Sequence, residues 1–497
     1  DTGREGQIPE ARVEEIYKRT QGNPLFYMEA LRLLREGGQD IEFTDKLSYV
    51  IEGRLMALKK EELQVLKALS VFSVSVPCED IEAVLNAEGQ MIQKALAGLL
   101  DARMIFERFA KGRVSYEFRH KVIQEYVYNS LSKEKQMLYH YRAADYYEKQ
   151  YNVRSSMELC SLLIYHCQKC GDRYKALDYK VKYLEPFYRI TYDYYPILAR
   201  KVKFRPKING YQAKEDELGE LAREIEREWE KDSSMAPVYM RVEYLLGRYE
   251  MYTEAFSQGI IHIYNSLQLA LKLGHRDYIF YNYMQLILYG EMTGKTAITL
   301  EYLHTCWEFI KDCATPRAEE ACMLKRHQAQ YLMGEGKTEE ALEILRQAVE
   351  ELEKGGRENP IFIELAMCCH VQGICYMRES KWEEAWSSLE KASKLGEQYL
   401  HSGEEGIFYG DAAIALAHMG QFEESKVLIE KARKCFKGIS SLWGEADTEL
   451  SNAVWAGCQH REQEYRNSMK IAKEIAKKLG SAYLWEKIED TEKAGLL

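Results

Sequence analysis

Three groups of residues in this 497-residue chain have types and spacings that chemistry uses. Gly290-Glu291-Met292-Thr293-Gly294-Lys295-Thr296 has the composition of a phosphate-binding loop, in which backbone amides and a lysine cradle phosphates. Such a loop needs four residues between its glycines and a strand before it. Here only Glu291, Met292 and Thr293 intervene, and both flanks carry helical periodicity, so the segment reads as a turn between paired helices. Nucleotide hydrolysis is rejected at this place. His166 precedes a Cys-x-x-Cys at Cys167 and Cys170, the start of a metal set. Structural zinc needs four ligands, no second Cys-x-x-Cys occurs, and two thiols one helical turn apart bury easily; no metal site is assigned. Phe187-Tyr188-Arg189-Ile190-Thr191-Tyr192-Asp193-Tyr194-Tyr195-Pro196 joins stacking surfaces to a guanidinium. Tyr188, Arg189, Tyr192, Tyr194 and Tyr195 are therefore candidate effector-binding residues, against the plainer reading of tyrosines packed between helix pairs. No Ser/His/Asp grouping, His-Glu-x-x-His or paired-carboxylate spacing stands out. No catalytic residue is named, and no enzyme is expected in this chain.

The elements that would hold these groups are helical. Only 9 prolines interrupt the chain, 46% of residues are hydrophobic, and 36 are tyrosines, which favours long amphipathic helices over sheet. The length calls for more than one domain. A net charge of −10 argues against a nucleic-acid face spread along the chain. No apolar run reaches 18 residues, so no membrane span is expected. The twelve scattered cysteines, Cys368 and Cys369 adjacent among them, suit a reducing compartment, and the cytoplasm is the expected location. The first residues, Asp1-Thr2-Gly3-Arg4-Glu5-Gly6, lack an initiator Met and a signal pattern, which reads as a cut inside a longer protein.

Along the chain, one helix ends near Thr20 and Gly22-Asn23-Pro24 stops it: glycine supports a C-cap and proline restarts a helix at its first turn. A second helix runs to Leu34. Residues 44 to 69 read as two more, with Thr44 and Asp45 as candidate N-caps and Leu55, Leu58, Leu63, Leu66 and Leu69 at helical spacing. Helices over Glu79 to Leu85 and Gln90 to Leu100 precede two short aromatic and β-branched runs, Met104 to Phe109 and Val114 to Phe118. These flank a Lys111-Gly112 turn and predict a β-hairpin. Helix, helix, hairpin, helix is the order of a winged helix. Between residues 79 and 103 five acids face two bases, Lys94 and Arg103, a poor surface for DNA phosphates. A structural role in linking domains fits better.

From about residue 131 helix pair follows helix pair. Gly334-Glu335-Gly336-Lys337-Thr338-Glu339-Glu340-Ala341-Leu342 recurs as Ser380-Lys381-Trp382-Glu383-Glu384-Ala385-Trp386 and as Gly420-Gln421-Phe422-Glu423-Glu424-Ser425. Small residues at Ala348, Ala392 and Ala432 mark close helix approach, and degenerate copies lie at Gly171 to Leu177 and around Tyr289 to Leu300. The pattern resembles tetratricopeptide repeats, period about 34, stretched by longer helices. The expected fold is all-α: a tetratricopeptide-like right-handed superhelix of helical hairpins over residues 131–497, after a small winged-helix domain at 54–130. Residues 1–53 would close an upstream module, and the charged stretch 203–236 reads as an insertion or linker. Each unit has an apolar face it cannot bury alone, so neighbours stack, and the concave surface is the expected binding face.

Tyr17 to Leu34, YKRTQGNPLFYMEALRLL, resembles the end of the ATPase module in signal-transduction ATPases with numerous domains. Tyr116 to Tyr147 looks like the junction between winged helix and repeats in bacterial regulators of the maltose-activator and bacterial-transcriptional-activator-domain type. Specific motifs cover residues 11–147; beyond them the resemblance is one of architecture. It implies an upstream P-loop ATPase that ADP holds closed, opening into an oligomer with ATP and inducer, and a separate DNA-binding domain. It also implies that Gly22, Asn23 and Pro24 form the family's Gly-x-Pro motif, whose proline packs on adenine. His120, in Phe118-Arg119-His120, would be the histidine that senses the nucleotide phosphates, since an imidazole can donate to a phosphate oxygen. Read without the family, Pro24 is a helix breaker and His120 a helix-start residue. No cofactor is expected in the chain itself, and ATP or ADP in the parent. The expected partners are a protein or small-molecule effector on the repeat surface, DNA only through a domain outside this sequence, no membrane, and self-association. Relatives with a C-terminal DNA reader would show a helix-turn-helix pattern after Ala472; none appears, so a DNA-binding domain is expected upstream, the alternative being a trimmed end. Two other readings stay open: a repeat module of a cyclase- or kinase-linked signalling protein, and a plain interaction scaffold.

Overall fold

The computed structural model describes residues 45–110, 112–191, 215–253, 256–312, 317–355, 359–400, 405–439 and 441–495. The chain divides into two compact units, residues 1–179 and 180–497.

In the first unit, helices α1 (Asp45–Met56), α2 (Lys60–Leu69), α3 (Cys78–Leu85) and α4 (Gly89–Asp101) lead into strands β1 (Ile105–Ala110) and β2 (Arg113–Phe118), followed by α5 (Lys121–Asn129). This is the element order assigned above to a winged helix, and the expected 53/54 boundary falls inside α1. The strands pair antiparallel from Ile105 opposite Phe118 to Ala110 opposite Arg113, around Gly112 at φ +76°. Left-handed backbone is where glycine costs least. At the hairpin base Ile105 and Phe118 are buried, whereas Phe109 and Val114 near the tip are exposed. Val76 adds a one-residue bridge to Tyr116. Of the leucines read at helical spacing, Leu66 and Leu69 are core, joined by Val65 and Ala68. Helices α6 (Lys133–Val153), α7 (Met157–Cys170) and α8 (Arg173–Thr191) follow; the division between units falls inside α8. Ser132 and Ser156 cap α6 and α7 through their hydroxyls, and Gly171 ends α7 at φ +84°.

The second unit is an array of helical hairpins. Within the stretch read as insertion or linker, residues 215–229 form helix α9 (Glu215–Trp229), which buries Leu218, Leu221, Ala222 and Ile225 and packs on α10 (Ala236–Thr253). Six pairs run from there. They are α10 with α11 (Phe256–Leu273), α12 (Arg276–Thr293) with α13 (Thr296–Lys311), and α14 (Ala318–Gly334) with α15 (Thr338–Lys354). Next come α16 (Asn359–Arg378) with α17 (Trp382–Tyr399), α18 (Gly406–His418) with α19 (Phe422–Ile439), and α20 (Leu442–Cys458) with α21 (Glu462–Leu479). A single helix, α22 (Ala482–Lys493), follows. The fold is thus all-α with tetratricopeptide-like repeats and a two-stranded sheet ahead of them.

The turns explain the recurring motif. Each of four pairs bends through one left-handed residue: Gly294, Gly336, Ser380 and Gly420 sit at φ +69°, +74°, +55° and +76°. A fifth copy, Gln459-His460-Arg461-Glu462, bends at His460, φ +56°, and the sequence reading missed it because histidine stands in the glycine place. The second helix of a pair is amphipathic: on α15, Ala341, Leu342, Leu345, Ala348 and Leu352 form one buried stripe. The first helix is the more enclosed of the two. On α18 every residue from Gly406 to Ala417 except Ile414 is buried. Helix α10 also touches α20 and α21, so the array returns on itself.

Small residues permit the closest approaches. A Cβ on Gly247 would stand 2.7 Å from the Gly259 carbonyl oxygen, and one on Gly259 would collide with the Gly247 carbonyl oxygen. Backbone cannot rotate away as a side chain can, so Gly259→Ala should destabilise the second unit by at least about 1–3 kcal/mol. His460→Gly should act in the opposite sense, by about 0.5–1 kcal/mol, because it relieves a left-handed non-glycine. Thermal unfolding followed by circular dichroism tests both signs.

Candidate functional site

The inner helices α12, α14, α16, α18 and α20 carry most of the buried charge of the second unit, and it is paired from each helix to the next. On α14, His327 Nδ1 lies 2.8 Å from Glu291 Oε1 of α12. Arg326, 1% exposed, donates from Nε and Nη2 to both carboxylate oxygens of Glu364 on α16, at 2.7 and 3.2 Å. His370 of α16 meets Asp411 Oδ2 of α18 through Nε2 at 2.8 Å. Lys487, from α22, then donates to Asp411 Oδ1 at 2.8 Å and to Asp447 Oδ1 of α20 at 2.5 Å. Two-point guanidinium–carboxylate contact and charge-assisted bonds are the strong class of hydrogen bond.

The last of these clusters is the most exacting. Asp411, Asp447 and His370 are fully buried, and the Lys487 side chain is 19% exposed. Burial alone would raise the Asp411 pKa; Lys487 and then His370 outweigh it and hold Asp411 well below the usual carboxylate range. Asp447 moves the other way: burial pushes it up, and the like charge of Asp411 adds to that, against the pull of Lys487. Lys487 is lifted well above its ordinary value because two carboxylates outweigh its own burial. Two polar atoms here, Asp447 Oδ2 and His370 Nδ1, have no hydrogen-bond partner among the described residues. Gly410 is what lets α18 approach: a Cβ there would stand 3.1 Å from Asp447 Oδ2 and from Ser451 Oγ. The arrangement holds one cation between two carboxylates, a recognition chemistry.

The residues singled out from sequence fall elsewhere. Gly22, Asn23, Pro24, Tyr192, Tyr194 and Tyr195 lie outside the described residues; Tyr188 and Arg189 lie on the α8 backbone, with side chains outside the description. His120 is the residue before α5, half-buried; burial lowers its pKa, and the nearby guanidiniums of Arg54 and Arg119 lower it further. Gly290 to Thr296 is the end of α12, a turn and the start of α13, and Lys295 Nζ donates to the Tyr289 hydroxyl at 2.5 Å. His166 pairs with His140, Nδ1 to Nδ1 at 2.9 Å, both driven down by burial, to about 3 and about 4. Cys167 is buried beside it, its thiol pushed up to about 12, and no metal-holding group occurs among the described residues. His370, Asp411, Asp447 and Lys487 escaped the sequence reading. Their signal was faint: Asp411 is the lone charge in Gly406-Ile407-Phe408-Tyr409-Gly410-Asp411-Ala412-Ala413-Ile414.

A second feature lies within the first unit, a cleft of about 730 Å³ lined by Pro77, Asp80, Arg113, Tyr116, Tyr146 and Tyr147 among others. The Tyr147 hydroxyl donates to Asp80 Oδ2 at 2.5 Å, and burial raises the Asp80 carboxyl to about 6.

No protein-family model matches this chain, and no curated protein matches it. Among solved structures it is similar to a signal transduction ATPase with numerous domains that carries a tetratricopeptide repeat sensor, from Pyrococcus horikoshii. The identity is 15%, over 98% of this chain and 67% of that one, with a TM-score of 0.48. It is also similar to a Rap protein complexed with competence and sporulation factor (11% identity, 73% of this chain, 99% of that one, TM-score 0.44). The TPR-like repeats of a kinesin light chain from Podosopora anserina match at 19% identity, over 41% of this chain and 94% of that one, TM-score 0.29. No described helix is long and apolar enough to cross a membrane.

Two pH effects follow. With Lys487 in place, Asp411 contributes stability that is present above the ordinary carboxylate pKa and lost below it, and Lys487 contributes until the pH passes its ordinary value. Lys487→Met leaves the buried Asp447 without its counter-charge and Asp411 with His370 alone, which should cost about 3–5 kcal/mol near pH 7.5. Without Lys487 the folded pKa of Asp447 lies further above its unfolded value, so this deficit should shrink as pH falls toward 4; a deficit constant across that range would contradict the assignment. Asp80, raised in the folded state, makes stability fall as pH rises from about 4 to about 6, by up to about 3 kcal/mol. Asp80→Asn should flatten that slope in a urea titration of stability against pH.

Proposed function

We propose that this chain is the effector-sensing, protein-interaction portion of an ATP-dependent bacterial transcriptional regulator, and that the inner face of its repeat array takes the partner. The observation that carries this is the buried carboxylate pair Asp411 and Asp447, on adjacent inner helices, closed around a cationic side chain from a third element. Buried charge of this kind stabilises poorly compared with apolar packing, and its use is in specifying what fits. The partner's contribution is therefore a protein segment that presents a cation to the inner face.

The regulator part of the reading rests on the resemblance of residues 17–34 and 116–147. In the parent protein ATP or ADP would meet Gly22, Asn23 and Pro24 at the adenine, and His120 at the phosphates. The surroundings of His120 support that role: Arg54 and Arg119 bring two permanent positive charges near an imidazole at a helix start, a setting that favours an anion. Its lowered pKa keeps the ring neutral near pH 7, so it can donate one hydrogen bond without adding charge.

The test uses the full-length protein purified with ADP bound. Pro24→Ala and His120→Ala should each speed ADP loss by about tenfold, the equivalent of about 1.4 kcal/mol. ADP retention equal to the unsubstituted protein would remove the nucleotide roles and leave an interaction scaffold.

A further inference from the structure

The cation between Asp411 and Asp447 comes from α22, and α22 is seated where a partner segment would lie. It touches α12, α20 and α21. Single contacts reach further around the inner face. Arg378 of α16 donates to Glu486 at 2.5 Å, Lys487 reaches α18 and α20, and the Tyr483 ring lies 6.3 Å from Trp443 of α20. Ala482 packs against Gly294 at the end of α12.

Helix α22 is short, 12 residues, and isolated helices of that length are marginal in water. Its buried apolar anchors are two, Leu484 and Ile488, which flank Lys487 at one turn before and one residue after. Trp485, one residue beyond Leu484, is 37% exposed. Around its lysine, Asp447 Oδ2 and His370 Nδ1 remain buried without hydrogen-bond partners among the described residues. One ammonium holds this pair of carboxylates without satisfying every polar atom around it, so a side chain with more donors would find acceptors there.

From this geometry we propose that α22 is a resident stand-in for a partner's helix. The site accepts in its place a helical segment with a lysine or arginine at the position of Lys487, leucine or isoleucine three residues before it, and an aliphatic residue directly after it. The exchange releases α22 from the inner face. This rests on the reading that the inner face is the binding surface, and it adds the chemistry of the partner and what is displaced to admit it.

The probe is a fluorescently labelled peptide with the sequence of Ser481 to Lys493, added to the whole chain and followed by anisotropy. The unsubstituted chain should bind it weakly, because the tethered copy competes at an effective concentration in the millimolar range. A chain carrying Leu484→Ala with Lys487→Met should bind at least tenfold tighter, and the peptide should restore part of that variant's lost Tm. The same peptide with its own lysine replaced by methionine should lose at least tenfold, and so should the wild-type peptide on a variant chain that also carries Asp447→Asn. If the variant stays folded by circular dichroism and still takes no peptide, α22 is no stand-in, and the proposal is overturned while the inner face can still serve other partners. If Leu484→Ala alone already unfolds the second unit, α22 is part of its core, and both this proposal and the inner-face reading fall.

Discussion

A charge buried in a protein must be paired, and in this repeat array the inner helices find those partners on other elements of the stack. Glu291 answers His327, Arg326 answers Glu364, His370 answers Asp411, and Lys487 joins Asp411 to Asp447. Apolar packing tolerates a slip of one helix along another at modest cost. A buried ion pair does not, because the slip leaves an uncompensated charge. The chain of pairs therefore sets the register of successive hairpins, and the alanines and glycines set only how near they come.

That division of labour explains the contrast between the two helices of a pair. The outer helices keep a simple stripe, as on α15, and expose the rest. The inner ones are more enclosed, and many of their polar groups are bonded to a neighbour. Thus α12 buries Asn282, bonded to Ser266 of α11 and to its own Tyr278 carbonyl, and α20 buries Asn452, bonded to Ser468 of α21. Asp411 and Asp447 differ in that they share one counter-charge, Lys487, supplied by α22.

The first unit uses buried polar groups differently. His140 and His166 share one hydrogen bond inside a ring of Tyr128, Tyr147, Tyr165 and Phe72, and desolvation keeps both uncharged. Tyr147 from the same group turns its hydroxyl to Asp80. Titratable groups are thus tied into one network under the hairpin, which is why the Cys167-x-x-Cys170 spacing has a packing role: Cys167 is core, and the Cys170 thiol donates to the Cys167 carbonyl.

Much of this fold was legible in one dimension because it is made of local periodicities. The hairpin around Gly112, the helix pairs around Gly336, Ser380 and Gly420, and the small residues Ala348, Ala392 and Ala432 are each short-range patterns, and the backbone obeys them. The turn at His460 was illegible because histidine can be held in a glycine conformation by its neighbours, which composition does not record. The candidate site was illegible for a stronger reason. His370, Asp411, Asp447 and Lys487 are spread over more than a hundred residues on four helices, and nothing about any one of them marks it. Helical period decides which residues face inward; only the stacking of one hairpin on the next, with burial making an unpaired charge costly, decides which of those inward charges meet.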